Sequence, residues 1–289
     1  MAYYGGIEAG GTKFCCAIGN EHGDIIDELT IATEHPEDTL EKLIPFFKKY
    51  EIEAMGVGSF GPICVTKGDP HYGYIMNTPK TAWKNYPFIP KLEKGLGVQV
   101  SFTTDVNAAA LGELKKGAAQ GLNSCLYITV GTGIGAGAVV RGELLHGHSH
   151  PEMGHILVRK NEKDSFDGVC PYHGACLEGL ASGPAIEKRW GTPAKELVDK
   201  QAVWELEADY LAQALMQYTL ILSPERIIMG GGVMKQKQLF PLIREKLAFY
   251  LNEYTELPAL ETYIVSPGLE DKAGMTGALA LAMEAKVRV

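Results

Sequence analysis

The chain has 289 residues, 46% hydrophobic and 21% charged, with a formal net charge of −8. That is enough apolar matter for two lobes of ordinary domain size, and an acidic balance without a basic face argues against nucleic acid or an anionic membrane as partner. Six cysteines make no disulfide scaffold at this length, and Met1 is followed by no basic and apolar leader, so the expectation is a soluble protein of the reducing cytoplasm.

The first elements surround a glycine turn. An apolar run from Tyr4 breaks at Gly10-Gly11, resumes through Ile18, turns at residues 20–24 and continues at Ile25-Ile26, which reads as three strands and two turns. Pro36 opens a helix with apolar Leu40, Leu43, Ile44, Phe47 and Tyr50 on one face and acidic residues in its first turn. Residues 54–58 read as a buried strand ending in Ser59-Phe60-Gly61-Pro62. A loop rich in proline, glycine and asparagine then runs through Asn77-Thr78-Pro79-Lys80 to Trp83, long enough to be functional. A strand over 98–102 passes through Thr103-Thr104 into a helix over 105–116, completing the order βββαβαβα.

The pattern then restarts. Residues 125–130, the turn Gly131-Thr132-Gly133, residues 134–140 and a turn at Arg141-Gly142-Glu143 repeat the opening layout. Helices follow near 183–189 and across 203–222, then a strand over 226–229, the triplet Gly230-Gly231-Gly232, a helix over 239–251, a short strand at Ile264-Val265 and a last helix over 273–286. Alternating strands and helices with an internal duplication indicate α/β lobes with mostly covered sheets.

Glycines at such turns bring backbone N–H groups against a ligand with no Cβ in the way, which suits phosphate oxygens, although ordinary hairpins use them too. Gly10-Gly11-Thr12-Lys13 lacks the Walker spacing and leads into a strand rather than a helix. Gly131 to Ala136 fits the dinucleotide fingerprint by letter, yet the β-branched segment after it starts no helix, so a nucleotide-dependent dehydrogenase is disfavoured.

Five of the eight histidines lie between His146 and His173. Within that stretch Cys170-x-x-His173-x-x-Cys176 offers three donors on a tight knuckle, and His155 completes a Cys2His2 set for a closed, structural zinc, with His148 or His150 as alternative fourth ligands. Asp105 stands where a strand meets a helix, a position that faces the cleft in open α/β sheets and equally suits a helix N-cap. Glu152 and Glu178 bracket the knuckle, as sugar-hydroxyl ligands or as solvated surface charges.

Together these segments resemble the ROK family of sugar kinases and regulators, within the actin-like ATPase superfamily, over essentially the whole chain. The resemblance rests on residues 6–13, 105–113, 130–135 and 151–155, the C-x-x-H-x-x-C knuckle and Gly230-Gly231-Gly232, in that order, and is nearest to the bacterial zinc-containing fructokinase branch. It implies a duplicated actin-like (ribonuclease H-like) α/β fold with two lobes around a central cleft: residues 1–112 with the helix 273–289 packed back on them, and residues 113–272 with the zinc loop. Asp105 is then the general base. Gly10, Gly11, Thr12 and Lys13 face the β/γ-phosphates from one lobe, and Gly131, Thr132 and Gly133 from the other. Gly231 and Gly232 lie near the adenosine, and Asn77, Glu152 and Glu178 contact the sugar. His155, Cys170, His173 and Cys176 hold zinc.

The implied reaction is phosphorylation of D-fructose at the 6-hydroxyl with Mg-ATP, or of mannose, glucose or N-acetylmannosamine, by a homodimer. A sugar-sensing regulator is the reading from another class; it requires an N-terminal DNA-binding module, where here the first glycine hairpin begins. Three departures bear on the reading. Glu8 replaces the usual Asp of the first strand; Thr103-Thr104 replaces Glu-Asn and turns specificity toward fructose; and His173 replaces a common third cysteine, a change that zinc tolerates.

Overall fold

The structure, a computed structural model, describes residues 2–66, 68–78 and 80–287. Positions 1, 67, 79, 288 and 289 lie outside that description, and with them the end of the expected 273–289 segment.

Two five-stranded sheets organise the chain. The first contains β1 (Tyr3–Ala9), β2 (Lys13–Gly19), β3 (Ile25–Ala32), β4 (Ile52–Ser59) and β5 (Val100–Thr104), in the order β3-β2-β1-β4-β5. Three helices accompany it: α1 (Pro36–Phe47), α2 (Phe88–Leu96) and α3 (Asp105–Lys116). The second sheet contains β6 (Cys125–Val130), β7 (Ile134–Val140), β8 (Glu143–Leu144), β9 (Ile227–Gly230) and β10 (Ile264–Val265), in the order β10-β9-β6-β7-β8. Its helices are α4 (Leu177–Ala181), α5 (Gly183–Trp190), α6 (Gln201–Leu222), α7 (Leu239–Leu251) and α8 (Leu260–Tyr263), and α9 (Ala273–Val287) closes the chain. Read from opposite edges the two orders are the same. In each sheet three antiparallel strands joined by hairpins are followed by two strands that return parallel to the first.

Tight glycine packing joins these layers. A Cβ on Gly56 of β4 would stand 1.8 Å from the Ala278 carbonyl oxygen, and one on Gly277 would stand 1.7 Å from that of Ala108. Helix α9 therefore lies backbone to backbone on β4 and on α3, a spacing that any side chain would destroy. One apolar core fills the space beneath the first sheet, where Trp83 stacks on Phe14 at 5.3 Å between ring centroids. Another, around Trp204 and Tyr210, fills the second.

The observed elements differ from the sequence expectation in places with identifiable causes. β5 runs through Thr103 and Thr104 because these β-branched residues continue the ladder against Gly58 and Ser59. α1 stops at Phe47, and Tyr50 beyond it donates its hydroxyl to Asp27 instead of extending the apolar face. α2 supplies the helix between β4 and β5 and ends at Gly97, whose left-handed conformation (φ 73°) terminates it.

Candidate active site

The first glycine turn joins β1 to β2 and is closed by a hydrogen bond from the Gly10 N–H to the Lys13 carbonyl at 2.9 Å. The second joins β6 to β7, with the Gly131 N–H bonded to the Gly133 carbonyl at 2.9 Å and the Gly131 carbonyl accepting from the Gly183 N–H at 2.7 Å. The glycine triplet sits beside this second turn: at Gly231 (φ 92°) a Cβ would stand 2.4 Å from the Val130 carbonyl, and at Gly131 it would lie 3.9 Å from the Gly232 nitrogen.

A cavity of about 1030 Å³ opens between the two halves. Asn77 reaches its wall from the loop after β4, Asp105 from the start of α3, Gly131, Thr132 and Gly133 from the second turn, and Glu152, His155, His173 and Glu178 from the segment around the knuckle. Gly10, Gly11, Thr12, Lys13, Gly231, Gly232, Cys170 and Cys176 are not on that wall. The first turn is nonetheless tied to it electrically, because Glu8, one residue before Ala9 and that turn, has Asp105 and Lys13 as charged neighbours.

Asp105 is the first residue of α3, and the cap is its neighbour Thr104, whose hydroxyl accepts the Asn107 N–H at 3.2 Å. The Asp105 carboxylate accepts the Val106 N–H at 2.9 Å. It is half-buried at the cavity wall. Desolvation pushes its pKa up to about 6, against the pull of the Val106 and Asp105 backbone N–H groups, with the Glu152 charge adding to the rise. Such a carboxylate is poised to exchange a proton near neutrality. Burial first, then the Asp105 charge, raises Glu8 to about 7, with Lys13 opposing and Asp271 adding. Glu152 is also raised, by burial ahead of the Glu178 charge, while His155 lowers it.

Glu178 is not a free surface charge. It belongs to α4, which Cys176 caps by accepting the Gly179 N–H, and its Oε2 accepts the Ile134 N–H at 2.9 Å, tying the knuckle to the second glycine turn.

The knuckle gathers four donors. The Cys170 sulfur lies 3.7 Å from His155 Nδ1 and 3.6 Å from His173 Nδ1, the Cys176 sulfur lies 3.5 Å from His155 Nδ1, and all four donor atoms fall within 4.8 Å of one another. With Zn–S bonds of about 2.3 Å and Zn–N bonds of about 2.0–2.1 Å, a zinc tetrahedron has sulfur–nitrogen edges of about 3.5 Å. The donor set therefore fits zinc in both chemistry and spacing. The alternatives His148 and His150 are not in this set; His150 instead turns to Thr104, with Nδ1 3.4 Å from its hydroxyl oxygen.

The sequence reading passed over several wall residues. Gly61 and Pro62 carry no chemistry that would single them out, and Thr104 reads from sequence as a helix cap and a departure from the family pattern rather than as a wall residue. His150 is 8% exposed and lines the cavity, a position set by its approach to Thr104 across forty-six residues of chain.

Comparison with known proteins agrees with this architecture. A Bacillus subtilis (strain 168) protein is 54% identical over 97% of this chain and 95% of its own. A fructokinase of Pediococcus pentosaceus is 45% identical over 97% and 98%, and a fructokinase of Zymomonas mobilis 43% identical over 98% and 97%. Among solved structures, a ROK hexokinase from Thermus thermophilus superposes with a TM-score of 0.82 at 28% identity over 99% of both chains. A ROK family glucokinase from Streptomyces griseus, in complex with glucose and AMPPNP, gives 0.76 at 25% over 98% and 100%. The ROK family pattern matches residues 4–285, so the two sheets are the halves of a duplicated actin-like ATPase fold and the chain belongs to the ROK family.

Proposed function

We propose that this protein is an ATP-dependent fructokinase that transfers the γ-phosphoryl group of Mg-ATP to the 6-hydroxyl of D-fructose. The observation that carries the reading is Asp105, a desolvated carboxylate with a pKa near 6 on the wall of a cavity shared by the two sheets, in a chain whose near full-length relatives include fructokinases. Asp105 accepts the proton of the sugar hydroxyl as that oxygen forms its bond to the γ-phosphorus and the bond to the ADP oxygen breaks. The N–H groups of the second glycine turn face the nucleotide phosphates from one side, and Gly10 to Lys13 approach them as the lobes 1–112 and 113–272 close.

Asn77, Glu152 and Glu178 orient the sugar. The Glu8, Asp105 and Asp271 carboxylates form an acidic neighbourhood suited to magnesium, which offsets phosphate charge when bound. Zinc at His155, Cys170, His173 and Cys176 is structural in this reading: it fixes the loop from which Glu178 reaches the second turn. Among the described residues no helix is long and apolar enough to cross a membrane, in keeping with a small-molecule kinase.

The test is a coupled ADP-release assay with Mg-ATP against fructose, mannose, glucose and N-acetylmannosamine, with Asp105→Asn as control. Turnover concentrated on fructose and lost in the variant is the expected result. Turnover strongest on another hexose keeps the kinase and moves its specificity, and none on any sugar overturns the reading.

A further inference from the structure

One buried polar contact on the cavity wall involves a histidine that the sequence offers only as an alternative zinc ligand. His150 Nδ1 lies 3.4 Å from the Thr104 hydroxyl oxygen, which in turn accepts the Asn107 N–H at 3.2 Å, and Asp105 stands between these two residues at the head of α3. His150 and Thr104 are both buried, at 8% and 5% exposure. A hydroxyl has one proton and two lone pairs. With a lone pair committed to the Asn107 N–H, the Thr104 proton is free to point at His150, and an unprotonated ring nitrogen is the acceptor there. Burial first, then the neighbouring His146, lowers His150 to about 4 against a bond from the ring to the Ala136 carbonyl that favours the charged form, so the ring is neutral at any physiological pH.

We propose that His150 is a positioning residue for Asp105: its neutral ring accepts the Thr104 hydroxyl proton and so directs the oxygen's lone pair at the Asn107 N–H, locking the first turn of α3. The chain of bonds runs from β7, through the ring, to the helix end that carries the carboxylate. It ties the second half of the molecule to the reacting group of the first. A second contact of the same kind runs beside it, between His146 Nε2 and the Thr103 hydroxyl at 3.5 Å, with Thr103 accepting in turn from the Asn107 amide at 3.2 Å. The two threonines that replace Glu-Asn thus each face a histidine, and the pair Thr104–His150 does its work through a hydroxyl.

The inference rests on the kinase reading for the role of Asp105, but not for the hydrogen bond itself, and its test separates the two. In the full-length wild-type protein, ring nitrogen NMR is expected to find His150 Nδ1 unprotonated and hydrogen-bonded. Thr104→Val shifts that resonance. In steady-state assays His150→Phe lowers kcat about 10-fold, the scale of a modest misplacement of a reacting group, with the KM for Mg-ATP nearly unchanged. It also moves the acid limb of the rate profile upward, because the backbone N–H groups that hold the Asp105 pKa down lose their alignment. His150→Gln, whose amide can accept and donate at similar reach, recovers most of the rate.

Protonated Nδ1, a resonance indifferent to Thr104→Val, or a His150→Phe enzyme with wild-type kcat and pH profile overturns the proposal. Absence of any sugar kinase activity in the wild type overturns the kinase reading alone and leaves the spectroscopic result to decide the bond.

Discussion

Glu178 closes the second glycine turn: its Oε2 accepts the Ile134 N–H at 2.9 Å, and a Cβ placed on Gly133 would stand 2.7 Å from that same oxygen. The turn and the Glu178 carboxylate therefore compete for one volume, and glycine is what lets both occupy it. Gly133→Ala pushes the Glu178 carboxylate out and breaks its bond to Ile134. The proposed phosphate turn and the proposed sugar contact are then both disturbed, and kcat/KM for fructose is expected to fall on the order of 100-fold, the usual scale for a misplaced constellation. Because a flexible carboxylate end can swing aside, the thermal midpoint should move little. A large loss of stability with unchanged kinetics in the surviving protein would contradict this account.

The pH behaviour of Asp105 has opposite signs for activity and stability. With Asp105 as the proposed base, activity needs it deprotonated, so kcat is expected to rise as pH passes about 6. Stability runs the other way, since a buried carboxyl with a pKa raised from 3.8 favours the fold below about 4 and loses that contribution as pH climbs through about 6. Asp105→Asn removes a desolvated charge at neutral pH. It should abolish turnover while stabilising the protein by on the order of 1–3 kcal/mol, discounted for the partial exposure of the group, or a few °C at about 2–4 °C per kcal/mol. Calorimetry of both proteins at pH 5 and pH 8 checks it: the gain belongs at pH 8 and should shrink at pH 5.

How much of this was readable beforehand follows from how local each feature is. The two hairpins, the helix from Asp105 to Lys116 and the knuckle are written in contiguous residues whose spacing has few structural solutions, and the chain folds them as expected. α4 is too short and too interrupted by Gly179 to show a helical period; it forms because Cys176 caps it and because Gly179 packs so closely on the knuckle that a Cβ would stand 1.9 Å from the Gly174 carbonyl. The orientation of Glu178 follows from that helix alone, which is why sequence left it open between ligand and surface charge. His150 shows the other limit. Several histidines in a short stretch looked interchangeable as metal ligands, and only the fold separates His155 on the knuckle from His150 on the cavity wall.

The knuckle predicts a metal dependence with a specific kinetic signature. Burial raises the Cys176 thiol to about 11, so without a cation the site holds a thiol, and a dication is what makes the thiolate favourable. Cys170→Ser and Cys176→Ser should lose stoichiometric zinc by elemental analysis. Because Glu152 and Glu178, proposed to orient the sugar, flank the knuckle on the cavity wall, the KM for sugar should rise more than the KM for ATP. Zinc-free protein purified without chelator and with full activity would remove the structural role assigned to the metal.

Adjacent glycines of the triplet have different reasons to be glycine, and this makes a sharp test of the fold. Gly230 lies against Tyr127, where a Cβ would stand 2.7 Å from the hydroxyl oxygen, and Gly231 combines φ 92° with a virtual Cβ 2.4 Å from the Val130 carbonyl. Gly232, by contrast, has right-handed helical backbone angles (φ −63°, ψ −35°) and nothing within 4 Å of where a Cβ would go. Gly231→Ala must pay for both strain and collision, and a loss of about 2–3 kcal/mol is expected, since alanine is destabilising where φ is positive and rigid backbone cannot give way. Gly232→Ala restricts the unfolded chain without a native penalty and should leave stability unchanged or improve it by about 0.4–1 kcal/mol. Urea titrations of the two variants decide it, with equal midpoints, or the reverse order, contradicting the backbone described for β9 and the turn beyond it. A Gly232→Ala protein that is stable yet binds ATP weakly would in addition support a place for the triplet beside the adenosine, because among the described residues no atom lies within 4 Å of such a methyl group.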